Sequence, residues 1–310
     1  MTADEHETEW LADRFEERRG HLRAVAYRML GSLTEADDAV QDTWLRVSRA
    51  ETGEIENFDG WLTTIIARIC LNMLRARRTR REDSLEARVP DPVVSAEGAL
   101  QPEEEALLAD SVGLALLVAL DTLTPAERLA FVLHDVFDVP FEEIASMVER
   151  TPVAVRQLAS RARRRVKGAD VPIADPDLTQ QREVVDAFFR AARGGEFDTL
   201  VSLLDPDVVL RGDFGPRHPA ASRVVRGAGE VARQALMFAL PSARLHPALV
   251  NGAAGVVVTV NGRPASVMGF TVAGGKIAEI DAIADPVRVR RIAASVLSDE
   301  DPGSQPDVKD

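Results

Sequence analysis

Between residues 10 and 81 apolar positions recur at helical spacing, with charged positions filling the faces between them. The period is lost over 82–108, where Pro90, Pro92 and Pro102 stand among many acids, and this stretch reads as a linker. Helical patterning returns over 109–168. A short Pro/Asp segment, GADVPIADPD, follows it. From about residue 178 the character changes. Two helical patterns, REVVDAFFRAARGG and FDTLVSLL, give way to β-branched runs: DVVLRG, SRVVRG, ARLHPALV, GVVVTVNG, ASVMGFTV and KIAEIDAI. The AGG at 273–275 reads as a hairpin turn. Helices followed by an antiparallel sheet predict an α+β domain over 178–297. The tail 298–310 is acidic and is expected to be disordered.

Within the first helical stretch, Thr34 reads as an N-cap with Asp37 at the third helical position, a weaker form of the capping box. Ala36, Val40 and Val47 then share one face, with Trp44 beside it. Asp38, Gln41, Asp42 and Leu45 share another. Asp38 and Asp42 are four apart, so their carboxylates point the same way and repel slightly. Such a face is either simply solvated or a docking surface for a basic partner. A second helix follows from Trp61, with Ile65, Ile69 and the Asn72/Met73 turn at helical spacing. Six arginines crowd its later part: Arg68, Arg75, Arg77, Arg78, Arg80 and Arg81. Guanidinium groups suit bidentate contact with phosphate, and such a cluster gives affinity for nucleic acid without sequence preference.

The second helical stretch has stronger punctuation. Thr124-Pro125-Ala126-Glu127 carries an N-cap, a proline at the first helical position and a glutamate at the third. Thr151-Pro152 repeats that start after a three-residue turn, Glu149 to Thr151. Phe141 to Lys167 therefore reads as two helices joined by a tight turn. In the second, Val155, Leu158, Ala159, Ala162 and Val166 form the inward stripe. Val153, Ala154, Arg156, Gln157, Ser160, Arg161 and Arg164 stay outside. Such a pair is either an ordinary amphipathic helical hairpin or, as the capped turn and basic outer face favour, a helix-turn-helix in which Val153, Arg156 and Gln157 would reach base edges while Arg161 to Lys167 would touch phosphates.

The totals alter the picture only locally. Lys and Arg number 37 against 50 Asp and Glu, a net charge of −13, so any DNA contact must come from a local basic face. A hydrophobic content of 45% supplies packed cores, and 310 residues suggest two or three domains. Cys70 is the only cysteine, which excludes an internal disulfide and any multi-cysteine zinc site. No run of about 18 apolar residues and no signal-like N-terminus is present, so a cytoplasmic protein without membrane contact is expected. No pattern calls for a cofactor or a metal.

HLRAVAYRMLGSLTEADDAVQDTWLRV, FDGWLTTIIARICLNMLRARRTRRE and LDTLTPAERLAFVLHDVFDVPFEEIASMVERTPVAVRQLASRARRRV, in that order, resemble the extracytoplasmic-function sigma factors of the sigma-seventy superfamily. The resemblance covers roughly residues 10–168. It implies a subunit that binds core RNA polymerase, through the β′ clamp helices and the β subunit, and recognises promoter DNA. Under it, residues 10–81 are region 2 and 109–168 region 4, joined by an acidic linker, 82–108, that enters the RNA exit path. It assigns polymerase docking to Asp38, Gln41, Asp42, Trp44 and Leu45. It assigns −10 contacts to Arg68, Asn72, Arg75, Arg77, Arg78, Arg80 and Arg81. The −35 contacts fall to Thr151, Val153, Ala154, Arg156, Gln157, Arg161 and Arg164. Pro140 stands where many members carry a capping serine, so the helix after it is expected to start differently.

Residues 178–297 resemble the SnoaL-like domain of the SigJ-type group, a cone-shaped sheet wrapped by helices. That group often carries Asp-Gly-Gly-Gly-Lys, here Asp213-Phe214-Gly215-Pro216-Arg217, and Asn-Pro-Asp-Lys-Leu, here Asp285-Pro286-Val287-Arg288-Val289. Its interdomain Trp-Leu-Pro-Glu-Pro is absent. Asp207, Asp213, His218, His246 and Asp281 are the polar candidates for a pocket, and no spacing among them demands catalysis. Arg211, Arg217, Arg223 and Arg226 could instead face acidic sigma portions. The expectation is a non-enzymatic sigma factor whose third domain modulates activity, with an anti-sigma partner or a small ligand left open. Two alternatives are a stand-alone helix-turn-helix regulator and an isomerase-like or cyclase-like pocket domain fused to a DNA-binding module.

Overall fold

The computed structural model describes residues 3–50, 57–80, 87–97, 113–168 and 171–297. The acidic tail and most of the linker reading lie outside these residues. The chain divides into two compact units, Met1–Leu85 with Gln101–Val171, and Glu86–Leu100 with Pro172–Asp310.

The first unit is helical. α1 (Ala3–Leu30), α2 (Leu33–Val47) and α3 (Phe58–Arg80) pack on one another. Their core is built from Phe15, Leu22, Met29, Leu30, Val40, Leu62, Ile66 and Cys70. The N-cap of α2 is Ser32, not Thr34: its hydroxyl accepts from the Glu35 amide. Gly31, with φ 68, turns the chain into that cap. The inward stripe of α3 runs through Leu62, Ile66 and Ile69, with Ile65 and Trp61 at its margin. Trp61 stacks on Phe58 at 5.8 Å between centroids, so it serves the core edge.

Among the described residues four further helices belong to this unit: α4 (Leu114–Asp121), α5 (Pro125–Phe131), α6 (Phe141–Met147) and α7 (Pro152–Gly168). A π-helical turn, Val132–Val136, extends α5. The full capping box forms at Thr124 and Glu127, worth about 1 kcal/mol. Pro140 precedes α6 with no side-chain cap. The turn between α6 and α7 holds Glu149 at φ 54, and the Thr151 hydroxyl accepts from the Ala154 amide as the N-cap of α7. Val155, Leu158, Ala159 and Ala162 are buried as the periodicity predicts.

The second unit is an α+β domain. α8 (Leu178–Gly194) and α9 (Phe197–Leu203) precede β2 (Leu204–Asp213) and β3 (Arg223–Arg226). α10 (Ala228–Phe238), which the strand-like reading of this region overlooked, comes next. β4 (Ala243–Val250), β5 (Ala253–Val260), β6 (Arg263–Ala273), β7 (Lys276–Ile283), α11 (Pro286–Ile292) and α12 (Ala294–Leu297) complete it. All six β-branched runs become strands. The sheet is mixed rather than antiparallel, because β2 pairs parallel to β7. Its seventh strand, β1 (Val94–Ala96), comes from the segment read as linker and pairs with β4 at the sheet edge, giving the order β1-β4-β5-β6-β7-β2-β3. Asn251-Gly252 and Asn261-Gly262 turn two of the hairpins with positive φ at both residues. Gly274 and Gly275 turn the third, and their amides donate to the Asp175 carboxylate at 2.9 Å.

Candidate promoter and polymerase interfaces

On α2 the periodicity separates the two faces as expected. Ala36, Ala39, Val40, Thr43 and Val47 are buried, while Asp38, Gln41, Asp42 and Leu45 are exposed on the opposite side. Trp44 lies half-buried at the border, packed on Phe15 at 5.1 Å. The neighbouring acids are used internally, Asp37 by Arg23 and Glu35 by Arg77. Among the described residues Asp38 and Asp42 have no cationic partner. An acidic face with an exposed leucine and a tryptophan edge suits a basic, partly apolar partner.

The arginines of α3 separate into two groups. Arg68 donates to the main-chain oxygens of Ser146 and Met147, at 3.1 and 3.2 Å, at the C-terminal end of α6. Arg77 donates to Leu30 O and pairs with Glu35. Both therefore hold helices together in this form. Asn72, Arg75 and Arg78 are exposed. The side chain of Arg80 and all of Arg81 lie outside the described residues.

On α7, Val153 is 60% exposed, and Arg156 and Gln157 are exposed beside it. Arg156 pairs with Glu142 and lies over the Phe141 ring, which orients it without burying it. Ala154 is half-buried, and Thr151 is occupied as the cap. Arg161 and Arg165 flank Glu127 at 3.6 and 2.8 Å. Burial raises the Glu127 pKa, but hydrogen bonds from Thr124 and the two arginines outweigh it, so the carboxyl sits below its ordinary value. Arg164 is exposed. Arg163, not singled out by the sequence, is fastened to Asp135 by both Nε and a terminal nitrogen.

The sequence also missed Arg128. Its guanidinium is buried, donates twice to Arg28 O at 3.1 Å and pairs with Asp121. Arg28 is itself buried, with its guanidinium over the Phe137 ring. These bonds join α1 to the start of the helix-turn-helix region, and removing one partner would leave an uncompensated buried charge. Cys70 is buried and its thiol is pushed up to about 12 by burial, so it is inert.

In the second unit the polar candidates do not converge. The core face of the sheet is filled by Phe188, Phe189 and Phe270, in mutual edge contact, with Val256, Leu210 and Ile280. Leu210 and Ile280 are register partners, so Arg211 and Asp281, the next pair, face the other side. There Arg211 binds both Glu279 and Asp281. Burial pushes Asp281 up to about 6, against the pull of Arg211. His246 meets Thr259 at 2.9 Å. Asp207 and His218 are exposed. Among the described residues no cluster of His, Cys, Asp or Glu could hold a metal ion.

Asp213 is a fastener. Its carboxylate accepts from Val89 N, Gly215 N and Arg288. Arg288 also binds Asp91 and Val89 O, and Arg291 adds a second contact to Asp91. Burial alone would lower the Arg288 pKa, and the charges of Asp91 and Asp213 reverse that. Gly215, at φ 76, lies so close to Asp285 that a Cβ would clash with its carboxylate. Asp285 in turn caps α11 through Val287 N and Arg288 N. The two degenerate motifs thus meet each other, and residues 89–91 join them.

Family models for sigma-70 region 2 and sigma-70 region 4 match residues 14–80 and 113–166. The chain is 42% identical over 220 residues to the ECF RNA polymerase sigma factor SigJ of Mycobacterium tuberculosis H37Rv, covering 71% of this chain and 70% of that protein. It is 34% identical over 269 residues to a protein of M. tuberculosis CDC 1551 described as a probable ECF RNA polymerase sigma factor SigI, covering 86% and 91%. The crystal structure of M. tuberculosis SigJ superposes with a TM-score of 0.69 at 34% identity, over 89% of this chain and 97% of that one.

Proposed function

The chain belongs to the extracytoplasmic-function family of RNA polymerase sigma factors, and from that premise we propose how its residues divide the work. It binds core RNA polymerase and directs it to promoters. The observation that carries the residue-level reading is the pair of arginine-bearing helices, α3 and α7, one in each matched region.

Asp38, Gln41, Asp42, Leu45 and the edge of Trp44 receive the basic clamp helices of the polymerase β′ subunit. The freedom of both aspartates from internal pairing supports this. Asn72, Arg75, Arg78, Arg80 and Arg81, joined by Arg68 and Arg77 as these two are released, contact the −10 element. Val153, Arg156 and Gln157 read −35 base edges, helped by Thr151 and Ala154, and Arg161 and Arg164 hold phosphates. The two elements are about 25 base pairs apart, roughly 85 Å of duplex. Regions 2 and 4 here touch through Arg68 and Arg128. This compact form is therefore a resting state that must open before both elements are bound together.

The third domain is a non-catalytic regulator. Its sheet face is filled with phenylalanine, and each buried polar candidate is bonded within the domain. It acts through the connector: residues 87–97 join the two DNA-reading regions and are held as an added strand, which limits how far those regions can separate. The protein works in the cytoplasm with polymerase; no described helix is long and apolar enough to cross a membrane. Run-off transcription with purified core polymerase tests the whole reading. Promoter-specific transcripts are expected only when this protein is added. Specific DNA binding without any transcript would favour a stand-alone regulator.

A further inference from the structure

Between α3 and the helix-turn-helix lies an open cleft of about 680 Å³, lined by Arg75, Arg78, Arg150 and Arg161, with Glu127 and Leu158. Four guanidinium groups line it, and Arg161 shares the Glu127 carboxylate with Arg165. That carboxylate, only 4% exposed, is already engaged by Thr124 and Arg165. Among the described residues Arg78 and Arg150 have no acidic partner. Arg75 and Arg78 are three apart on one face of α3, while Arg150 lies in the turn before α7 and Arg161 on α7 itself.

Arg78 and Arg150, with no acidic partner among the described residues, leave positive charge in the cleft that an anion would neutralise. Guanidinium groups bind phosphate oxygens in bidentate fashion and are less strongly hydrated than ammonium groups. The cleft has the size of a small-molecule site and is far too small for a duplex. We propose that it binds a compact polyphosphate anion of about three linked phosphates, which bridges α3 to the helix-turn-helix and holds the promoter readers closed. The inference rests on the proposed resting state. It adds that the ligand and promoter DNA compete for the same arginines, so a polyphosphate restrains the free sigma factor.

The test is calorimetric titration of the full chain with sodium tripolyphosphate, with ATP, and with orthophosphate at matched ionic strength. Saturable binding of tripolyphosphate, much tighter than orthophosphate, is expected. Equal binding of ATP identifies the phosphate chain as what is recognised, and tighter ATP binding adds a nucleoside contact; both support the site. Arg78→Ala and Arg150→Ala should each weaken binding by about tenfold or more. Both side chains are exposed, so thermal unfolding without ligand should be no lower than the wild type, and Arg78→Glu checks the same site with reversed charge. Binding no stronger than orthophosphate, or unchanged in these variants, overturns the site. Small-angle scattering separates the causes. A compact free chain that ignores tripolyphosphate defeats only this inference. An extended free chain defeats the resting state as well.

Discussion

Arg288 and Asp91 stand 197 residues apart in the chain and share a hydrogen bond of 2.6 Å from Nε to Oδ1. Around that bond lie Asp213, Val89 O and Arg291, so one guanidinium ties the connector to the end of β2 and to α11. β1 has only three residues and three register partners on β4. Such a short edge strand depends on side-chain fasteners, here also Asn251 on Val93 N and Ser295 on Val94 O.

Arg288→Ala should therefore release the connector. Leaving Asp91 and Asp213 without their shared cation should cost about 3 kcal/mol, measured by urea unfolding. Hydrogen exchange at Val93 to Ala96 should accelerate. Unchanged protection there would mean that the ladder with β4 suffices and the ion pairs are incidental.

Asp38→Arg with Asp42→Arg should abolish binding to core polymerase while leaving thermal stability nearly unchanged, because both side chains are exposed and have no cationic partner among the described residues. Pull-down with core enzyme reads the first effect and calorimetry the second. Binding that survives both charge reversals would remove this face from the docking surface.

The two kinds of contact on α7 should differ in kind when changed. Arg156→Ala or Gln157→Ala should cost about 1–3 kcal/mol and relax preference at one or two base pairs of the −35 element. Arg164→Ala should weaken all sequences alike and lower the salt slope of binding by about one. Binding-site selection and salt titrations distinguish these patterns. Equal sequence dependence for all three variants would contradict the assignment.

Asp281 gives the third domain a pH signature. Its folded pKa, raised to about 6 by burial, lies above the ordinary value of about 3.9. The folded state thus holds the proton more tightly, and this residue's contribution to stability falls as pH rises from about 4 to about 6, then levels off. Asp281→Asn should remove that decline without creating another. Unfolding midpoints measured across this window would show the same slope in both proteins if Arg211 instead keeps the carboxylate charged.

Much of the molecule was legible because local physics decides it. The inward stripe Val155, Leu158, Ala159 and Ala162 follows from helical period alone. The capping box at Thr124 and Glu127 needs only four residues of sequence. All six β-branched runs formed strands, and the acidic face of α2 emerged as read. The Asn-Gly pairs at 251 and 261 are equally local signals, and they turn two hairpins. The shift of the α2 cap from Thr34 to Ser32 shows the ordinary uncertainty of helix ends, where neighbouring hydroxyls compete for the same amides.

What sequence alone determined, then, is most of the helices and strands in their order, the two arginine-bearing helices and the family to which the regions belong; α10, the edge strand β1 and the parallel pairing of β2 with β7 came only with the fold. Tertiary structure decided which charges are spent. Arg68, Arg77 and Arg128 look like any other basic residues along the chain, yet the first two tie helices together and the third is buried at a junction. Asp91 reads as one more acid in a polar connector, yet it pins that connector as an edge strand. Periodicity records whether a position faces apolar neighbours within its own helix or strand. Pairings across nearly two hundred residues depend on which distant groups the fold brings within hydrogen-bond reach, and no local period encodes that.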